Sequence, residues 1–336
     1  MLKEIEPFKT ISITGLEKNV GKTTTLNQLI QEAKGRYTLG LTSIGRDGET
    51  IDRVTATEKP RIYVSCGTVI ATSLACLKNS DITREILETT GVNTPMGEIV
   101  IVRALSDGYV EIAGPSMNKE LEEIIRRMQS WGTDKIFIDG ALSRKSLASP
   151  GVAEATVMAT GAAVSADIRR LIRDTVHTYR LLSIERAEEK LRKIAERSDA
   201  RILILTGEEE LIEAEVLTAL ELNQEILAEI DEKTKALLLR GAVTDKIVDS
   251  LIRHMSVKNQ LTLLVEDGTK IFIKEETLQK LEAKNIRLRA LQTIRVVAIT
   301  INPTSPRGDR LDSSKIINGI SSYISVPVYD VKGVGS

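Results

Sequence analysis

The residue types and spacing that most directly imply chemistry lie near the start of this 336-residue chain, at Gly21-Lys22-Thr23. A β-branched run with Ile11 and Ile13 leads into Gly15-Leu16-Glu17-Lys18-Asn19-Val20-Gly21-Lys22-Thr23-Thr24. A helix-like stretch follows, with Leu26, Leu29 and Ile30 on one side. A polyphosphate needs these parts: glycines that let the backbone turn its N–H groups inward, and a helix whose positive end meets the anion. Lys22 would reach the β- and γ-phosphates and act as the catalytic cation, and the Thr23 hydroxyl would ligate magnesium. Gly15, Glu17, Lys18, Asn19, Val20, Gly21, Lys22, Thr23 and Thr24 are the candidate phosphate-binding residues. The alternative, a glycine-rich turn with an incidental lysine, leaves three successive threonines and a helix start unexplained.

Hydrolysis of a triphosphate needs carboxylates that hold magnesium and position water, because the transferred phosphoryl group needs mostly electrostatic help. Asp139 ends the apolar run KIFID and precedes Gly140-Ala141, the position of a magnesium-holding carboxylate at the edge of a central strand. A turn or helix-capping aspartate is the competing account. Asp47, in LTSIGRDGET, is the second candidate for metal binding and catalysis, and there Arg46-Asp47-Gly48 is also good turn chemistry. Glu49 and Asp52 stand behind it, and Arg46 fits either a phosphate or a surface ion pair. Asn302 directly follows a strand-like run in RVVAITINP and is the candidate for contacting a nucleotide base; Asn-Pro is equally a turn starter.

These residues require a scaffold of strands and helices. From Thr10 to Leu142, short β-branched runs (ISIT, YTLGLTSI, RIYVS, EIVIV, YVEIA, KIFID) alternate with helical segments, which predicts an α/β fold with a mostly parallel sheet flanked by helices. KELEEIIRRMQSW places Leu121, Ile124, Ile125 and Met128 on one helix face. Asp107-Gly108 between two strand-like runs predicts a hairpin. Ten acidic residues and no Lys or Arg lie between Glu208 and Glu232, over a helical spacing of Leu211, Ile212, Val216, Leu220, Ile226, Leu227 and Ile230. This reads as a solvated acidic face over a buried stripe. The predicted division is a nucleotide-binding core over 1–165, a mainly helical insertion over 166–235, and the rest of the core over 236–336.

Composition excludes several classes. Lys plus Arg is 46 against 47 for Asp plus Glu, so no cation excess exists to hold a nucleic-acid backbone. Aromatics are 3% of residues, so the core must be built from Ile, Leu, Val and Ala. No apolar run approaches the roughly 20 residues needed to cross a bilayer, and MLKEIEPFKT lacks a signal-peptide pattern, so no membrane partner and a cytoplasmic location are expected. Two cysteines and two histidines nearly exclude a structural zinc site. Cys66 and Cys76 are read as small buried apolar side chains, and His177 and His254 as helix-face residues.

The glycine at 15 rather than 16 makes the loop one residue longer than the usual G-x-x-x-x-G-K-[ST]. TGLEKNVGKT resembles the loop of dethiobiotin synthetase, in which T-G, five residues and G-K-T occur. That enzyme belongs to the P-loop group that also holds signal-recognition GTPases, cell-division ATPases and cobalamin-mutase chaperones. Many members carry an extra lysine early in the loop. Lys18 lies near that place but is offset by one, with Glu17 in it, and the group's lysine implies a possible homodimer across the nucleotide. Asp139 aligns with the Glu of that enzyme's E-G-A. GLTSIGRDGE, EIVIVRALSDGYVEIAGPS, MATGAAVSADI and ITINPTSPRGD make most of the chain resemble the P-loop subunit of the lysine 5,6-aminomutase reactivase. The resemblance implies a Mg2+-dependent ATPase that acts with a second ATPase subunit on a cobalamin-dependent aminomutase. GTP is less favoured, because the chain has no N-K-x-D motif, and an ATP-dependent ligase, carboxylase or kinase is the alternative.

Overall fold

The computed structural model describes residues 1–44, 61–140, 149, 151–207, 210–255 and 260–332. The chain divides into two units, Met1–Thr178 with Arg295–Ser336, and Tyr179–Ile294. The first unit contains α1 (Leu2–Ile5), β1 (Thr10–Gly15), α2 (Lys22–Ala33), β2 (Leu39–Ser43), β3 (Ile62–Val64), β4 (Val69–Ser73), α3 (Leu74–Lys78), β5 (Arg84–Thr94), β6 (Gly97–Ala104), β7 (Gly108–Val110), α4 (Asn118–Ser130), β8 (Lys135–Asp139) and β9 (Ala155–Gly161). Helix α5 (Ile168–Leu182) carries the chain across the division. The second unit contains α6 (Glu189–Ala195), β10 (Ile202–Thr206), β11 (Leu211–Ala214), α7 (Gln224–Ala228), β12 (Thr234–Leu239), β13 (Val243–Thr244), α8 (Asp245–His254), β14 (Leu261–Val265), β15 (Ile271–Phe272), α9 (Glu275–Ala283) and β16 (Ile286–Ala290). The chain then returns to the first unit through β17 (Val296–Asn302), α10 (Ser313–Ser321) and β18 (Val328–Asp330).

The first unit is built on a nine-stranded sheet in the order β18-β17-β9-β1-β8-β2-β4-β6-β5. Pairing is parallel from β18 to β4 and antiparallel at β4-β6 and β6-β5. The expected α/β class with a mostly parallel sheet is therefore present. Alternation along β8 explains the two layers, since successive side chains leave opposite faces. Phe137 joins Ile11, Ile13, Leu41 and the α2 residues Leu26, Leu29 and Ile30. Ile136 and Ile138 join the α4 residues Leu121, Ile124, Ile125 and Met128, as the helical spacing predicts. At the start of β8, buried Lys135 donates from Nζ to Ile5 O (3.3 Å), Glu6 O (2.8 Å) and Phe8 O (2.7 Å). These bonds tie the N-terminal segment to the sheet.

The second unit has a five-stranded sheet of its own, β11-β10-β12-β14-β16. β12, β14 and β16 are parallel, while β10 is antiparallel to both of its neighbours. The insertion thus runs from Tyr179 to Ile294 and is α/β, where a mainly helical segment over 166–235 was predicted. The acidic stretch is the reason. Leu211–Ala214 pairs with β10 as a strand, and Ile226, Leu227 and Ile230 lie in and after a five-residue helix that packs on the sheet. Apolar spacing suited to one long helix is here divided among a strand, a 3-10 turn at Ala219–Glu221 and a short helix.

Two smaller expectations are also corrected. The tight hairpin is β5-β6, closing at Thr94↔Gly97, whereas β7 after Asp107 pairs with β3. Asp107 instead accepts hydrogen bonds from Cys66 N (2.8 Å) and Tyr63 Oη (2.9 Å). Cys76 is buried as expected, but Cys66 is exposed, with its thiol donating to Leu105 O (3.3 Å), and neither is in a disulfide. His177 and His254 lie on α5 and α8. Among the described residues no helix is long and apolar enough to cross a membrane.

Candidate functional site

The loop between β1 and α2 sits where the direction of the sheet order reverses. After β1 the chain moves out through β2 and β4, then returns to place β9 and β17 on the other side of β1. In open α/β sheets the crevice at such a point, beyond the carboxyl ends of the strands, is the preferred ligand site. The pairings bring Gly15, Asp139, Gly161, Asn302 and Ser43 to that edge, through Gly15↔Ala159, Ile13↔Asp139, Asn302↔Gly161 and Ser43↔Asp139.

The loop's conformation follows from its residues. Asn19 (φ 60°) and Gly21 (φ 92°) are left-handed, a region open to glycine and tolerated by asparagine. A Cβ on Gly15 would lie 2.7 Å from Val20 Cγ2 and 2.9 Å from Lys22 Cγ, so the loop can fold back on its own start only with glycine there. The displaced first glycine is therefore a packing requirement of the longer loop. Val20 is fully buried and anchors the loop from below. Leu16 N donates to Ala159 O (3.1 Å), fixing the loop to β9.

Helix α2 begins at Lys22 with Gly21 as its N-cap. The N–H groups of its first turn have no acceptor inside the helix, and the helix dipole adds partial positive charge at that end. Thr25 donates from Oγ1 to Gly21 O (3.0 Å) and shares a buried hydroxyl contact with Thr300 Oγ1 on β17 (2.8 Å). The helix start is thus fixed to the sheet on the side facing β17. Lys22 Nζ donates to Glu17 O (3.1 Å), which draws the side chain back across the loop. Burial holds the Lys22 ammonium below the ordinary lysine range; the Asp139 carboxylate, then Glu17, oppose that shift, and Lys18 adds to it.

A cavity of about 370 Å³ opens here, lined by Lys18, Asn19, Gly21, Lys22, Thr23 and Thr24 from the loop and helix. Asn302, Thr304, Ser305, Pro306 and Lys332 form the opposite wall. Of the sequence-predicted residues, Gly15, Glu17 and Val20 shape the loop rather than line the cavity. Asp139 ends the strand beside β1, and Gly140 N donates to Ile13 O (3.0 Å) while Ser43 Oγ donates to Asp139 O (3.0 Å). The Asp139 Oδ1 atom is buried.

Asn302 is 7% exposed and is tied to the protein by its side chain. Its Nδ2 donates to Asn19 O (3.2 Å), and its Oδ1 accepts from Thr304 N (3.1 Å). The residue expected to read a base is therefore a brace between the loop and the cavity wall. Thr304, Ser305, Pro306 and Lys332 were not singled out from sequence, because only the strand order brings residues so distant in the chain to Lys22. Asp47, Arg46, Glu49, Asp52 and Ala141 lie outside the described residues.

The donor set suits a triphosphate with a hard divalent cation: an ammonium and a helix start for phosphate oxygens, and a threonine hydroxyl and a carboxylate for magnesium. Among the described residues no group of three or more His, Cys, Asp or Glu could hold a metal ion by itself. A cation here would need phosphate oxygens to complete its shell, which is how magnesium commonly binds. No protein-family model, no curated protein and no solved structure matches the chain.

Proposed function

We propose that the chain is a magnesium-dependent nucleoside triphosphatase of the P-loop group, using ATP in preference to GTP and acting as a switch on a partner protein. The observation that carries this reading is the pair Lys22 and Asp139. A partly desolvated ammonium bonded to Glu17 O has its main opposing charge on the carboxylate that ends the neighbouring strand. Both belong to the edge where the loop and the α2 start turn toward the cavity.

In the proposed mechanism, α2's free N–H groups and Lys22 bind the β- and γ-phosphate oxygens. Thr23 and Asp139 would hold the magnesium, which when bound would neutralise charge on the phosphates. Water forms the new P–O bond, the bond to the β-γ bridging oxygen breaks, and the water's proton passes to solvent or to a nearby carboxylate. Asp47 is the residue proposed to orient that water, on its sequence position alone. Asn302 holds the Asn19 end of the loop in place, so it positions the phosphate donors.

The partner follows from the resemblance of the segments quoted above. It is a cobalamin- and PLP-dependent aminomutase, assisted by a second ATPase subunit. Phosphate release from ATP by the purified chain, measured alone, with such a mutase and with a metabolite mixture, tests the reading. Magnesium-dependent release accelerated by the mutase supports the switch. A phosphorylated or ligated metabolite replaces it with a small-molecule enzyme, and no magnesium-dependent release in any arm overturns hydrolysis.

A further inference from the structure

We infer that the second unit carries its own binding site for a small organic anion with an apolar body. The site is a cavity of about 380 Å³ over one face of the five-stranded sheet, within the size range of small-molecule sites.

The strand register builds its floor. Leu205 pairs with Ala236, Ala236 with Thr262 and Thr262 with Arg287. Residues directly opposite on paired strands share a face, so these four form one row across β10, β12, β14 and β16. The row passes from a leucine, through a small alanine that leaves room, to a hydroxyl and then a guanidinium. The next row on that face, Leu203, Leu238, Leu264 and Arg289, also ends in an arginine, and there the arginine is neutralised: Arg289 Nη2 meets Glu185 Oε2 at 2.8 Å.

The outer row has no such partner. Arg287 is exposed and makes no ion pair among the described residues. Lys235 borders the same cavity, and among the described residues its Nζ donates to a carbonyl, Gly207 O at 3.0 Å, and to no carboxylate. Lys190 and Glu188 also line the cavity. Helix α6 covers this face but has only seven residues. Its Leu191 and Ile194 close the apolar end of the cavity beside Leu205 and leave the cationic end open. A carboxylate, sulfonate or phosphate on a hydrophobic body satisfies both ends, because a charge-assisted bond to Arg287 or Lys235 is strengthened beside an apolar wall.

The test uses 8-anilinonaphthalene-1-sulfonate as the anionic probe and N-phenyl-1-naphthylamine as its neutral counterpart, both followed by fluorescence on the full chain. The expected result is saturable 1:1 binding of the sulfonate, weakened about tenfold by Arg287→Ala and by Lys235→Gln, with Arg287→Lys recovering part of it. Lys22→Ala leaves this binding unchanged, which separates it from the triphosphate cavity. Each variant is checked by its melting temperature, because the sulfonate also binds unfolded chains. Non-saturable binding by the parent, equal binding by folded Arg287→Ala and Lys235→Gln, or tighter binding of the neutral probe would each overturn the site.

Discussion

The two cavities are nearly equal in volume, about 370 and 380 Å³, and both are lined by cations, yet they are built by opposite means. In the first unit the backbone organises the site: two left-handed residues, a helix start and the carboxyl ends of parallel strands aim fixed dipoles at one point. In the second unit the side chains organise it, across a strand row that ends in Arg287, whose guanidinium makes no ion pair among the described residues. Backbone donors are already oriented before a ligand arrives, which suits the charge that develops during phosphoryl transfer. Exposed side-chain cations are mobile and adaptable, which suits binding without chemistry. On the proposed functions, charge and size alone do not separate the two sites, and the fixed donor geometry beside a carboxylate is what distinguishes the first.

The largest effect expected from this contrast falls on hydrolysis. Asp139→Asn should retain nucleotide binding but lower magnesium-dependent phosphate release about 10²- to 10³-fold, measured by a steady-state phosphate assay across magnesium concentrations. An unchanged rate would remove the first cavity's claim to chemistry and make the two sites equivalent. Salt gives the next largest effect. Raising ionic strength from about 0.05 to 0.5 M should weaken the sulfonate probe at the second cavity several-fold more than the triphosphate at the first, because exposed charges are screened more than partly buried ones. Titrations of both ligands at the two salt concentrations check this, and equal salt slopes would contradict it.

Asn302→Ala tests backbone organisation directly. It removes the amide that holds Asn19 O and Thr304 N, so ATP affinity should fall about fivefold, with a stability loss of about 1 kcal/mol. Calorimetric titration and chemical denaturation measure the two, and affinity unchanged in a destabilised variant would make Asn302 structural only.

The smallest effect concerns Lys22 without ligand. Its pKa is lowered in the folded chain, so the unfolded chain holds the proton more tightly between the depressed value and the ordinary one. Stability should therefore rise with pH across that alkaline window, and below it the charged lysine costs stability. Lys22→Met should leave the melting temperature of the ligand-free chain unchanged or slightly higher at neutral pH. A marked decrease would show that the lysine supports the fold rather than being held in place for a ligand.

Much of the first site is legible in the sequence because its parts are contiguous. β1, the glycine loop and α2 occupy neighbouring positions, and each has its own local signature. Asp139 is legible as the end of a buried apolar run. The opposite wall is not: Thr304, Ser305 and Lys332 meet Lys22 only because β17 lies two strands from β1 with β9 between them, and strand order leaves no local trace. Asn302 is found by the same strand-end logic as Asp139, but its buried amide is turned to the loop, which depends on the fold around Asn19. The second unit is misread for a related reason. The stretch from Glu208 to Glu232 has helix-compatible apolar spacing, and only pairing with β10 makes Leu211–Ala214 a strand. The second cavity depends entirely on register, because Leu205, Thr262 and Arg287 are unrelated until three strand pairings align them.

In the proposed function, Lys22 and its loop bind the phosphates of a nucleotide. Isothermal titration of ATP with magnesium into the parent chain and into Lys22→Ala, each verified as folded by its melting temperature, tests it most directly. The expected result is one site per chain in the parent and a loss of about a hundredfold in affinity in the variant. Equal affinity in the two folded proteins, or no binding by the parent, would contradict it.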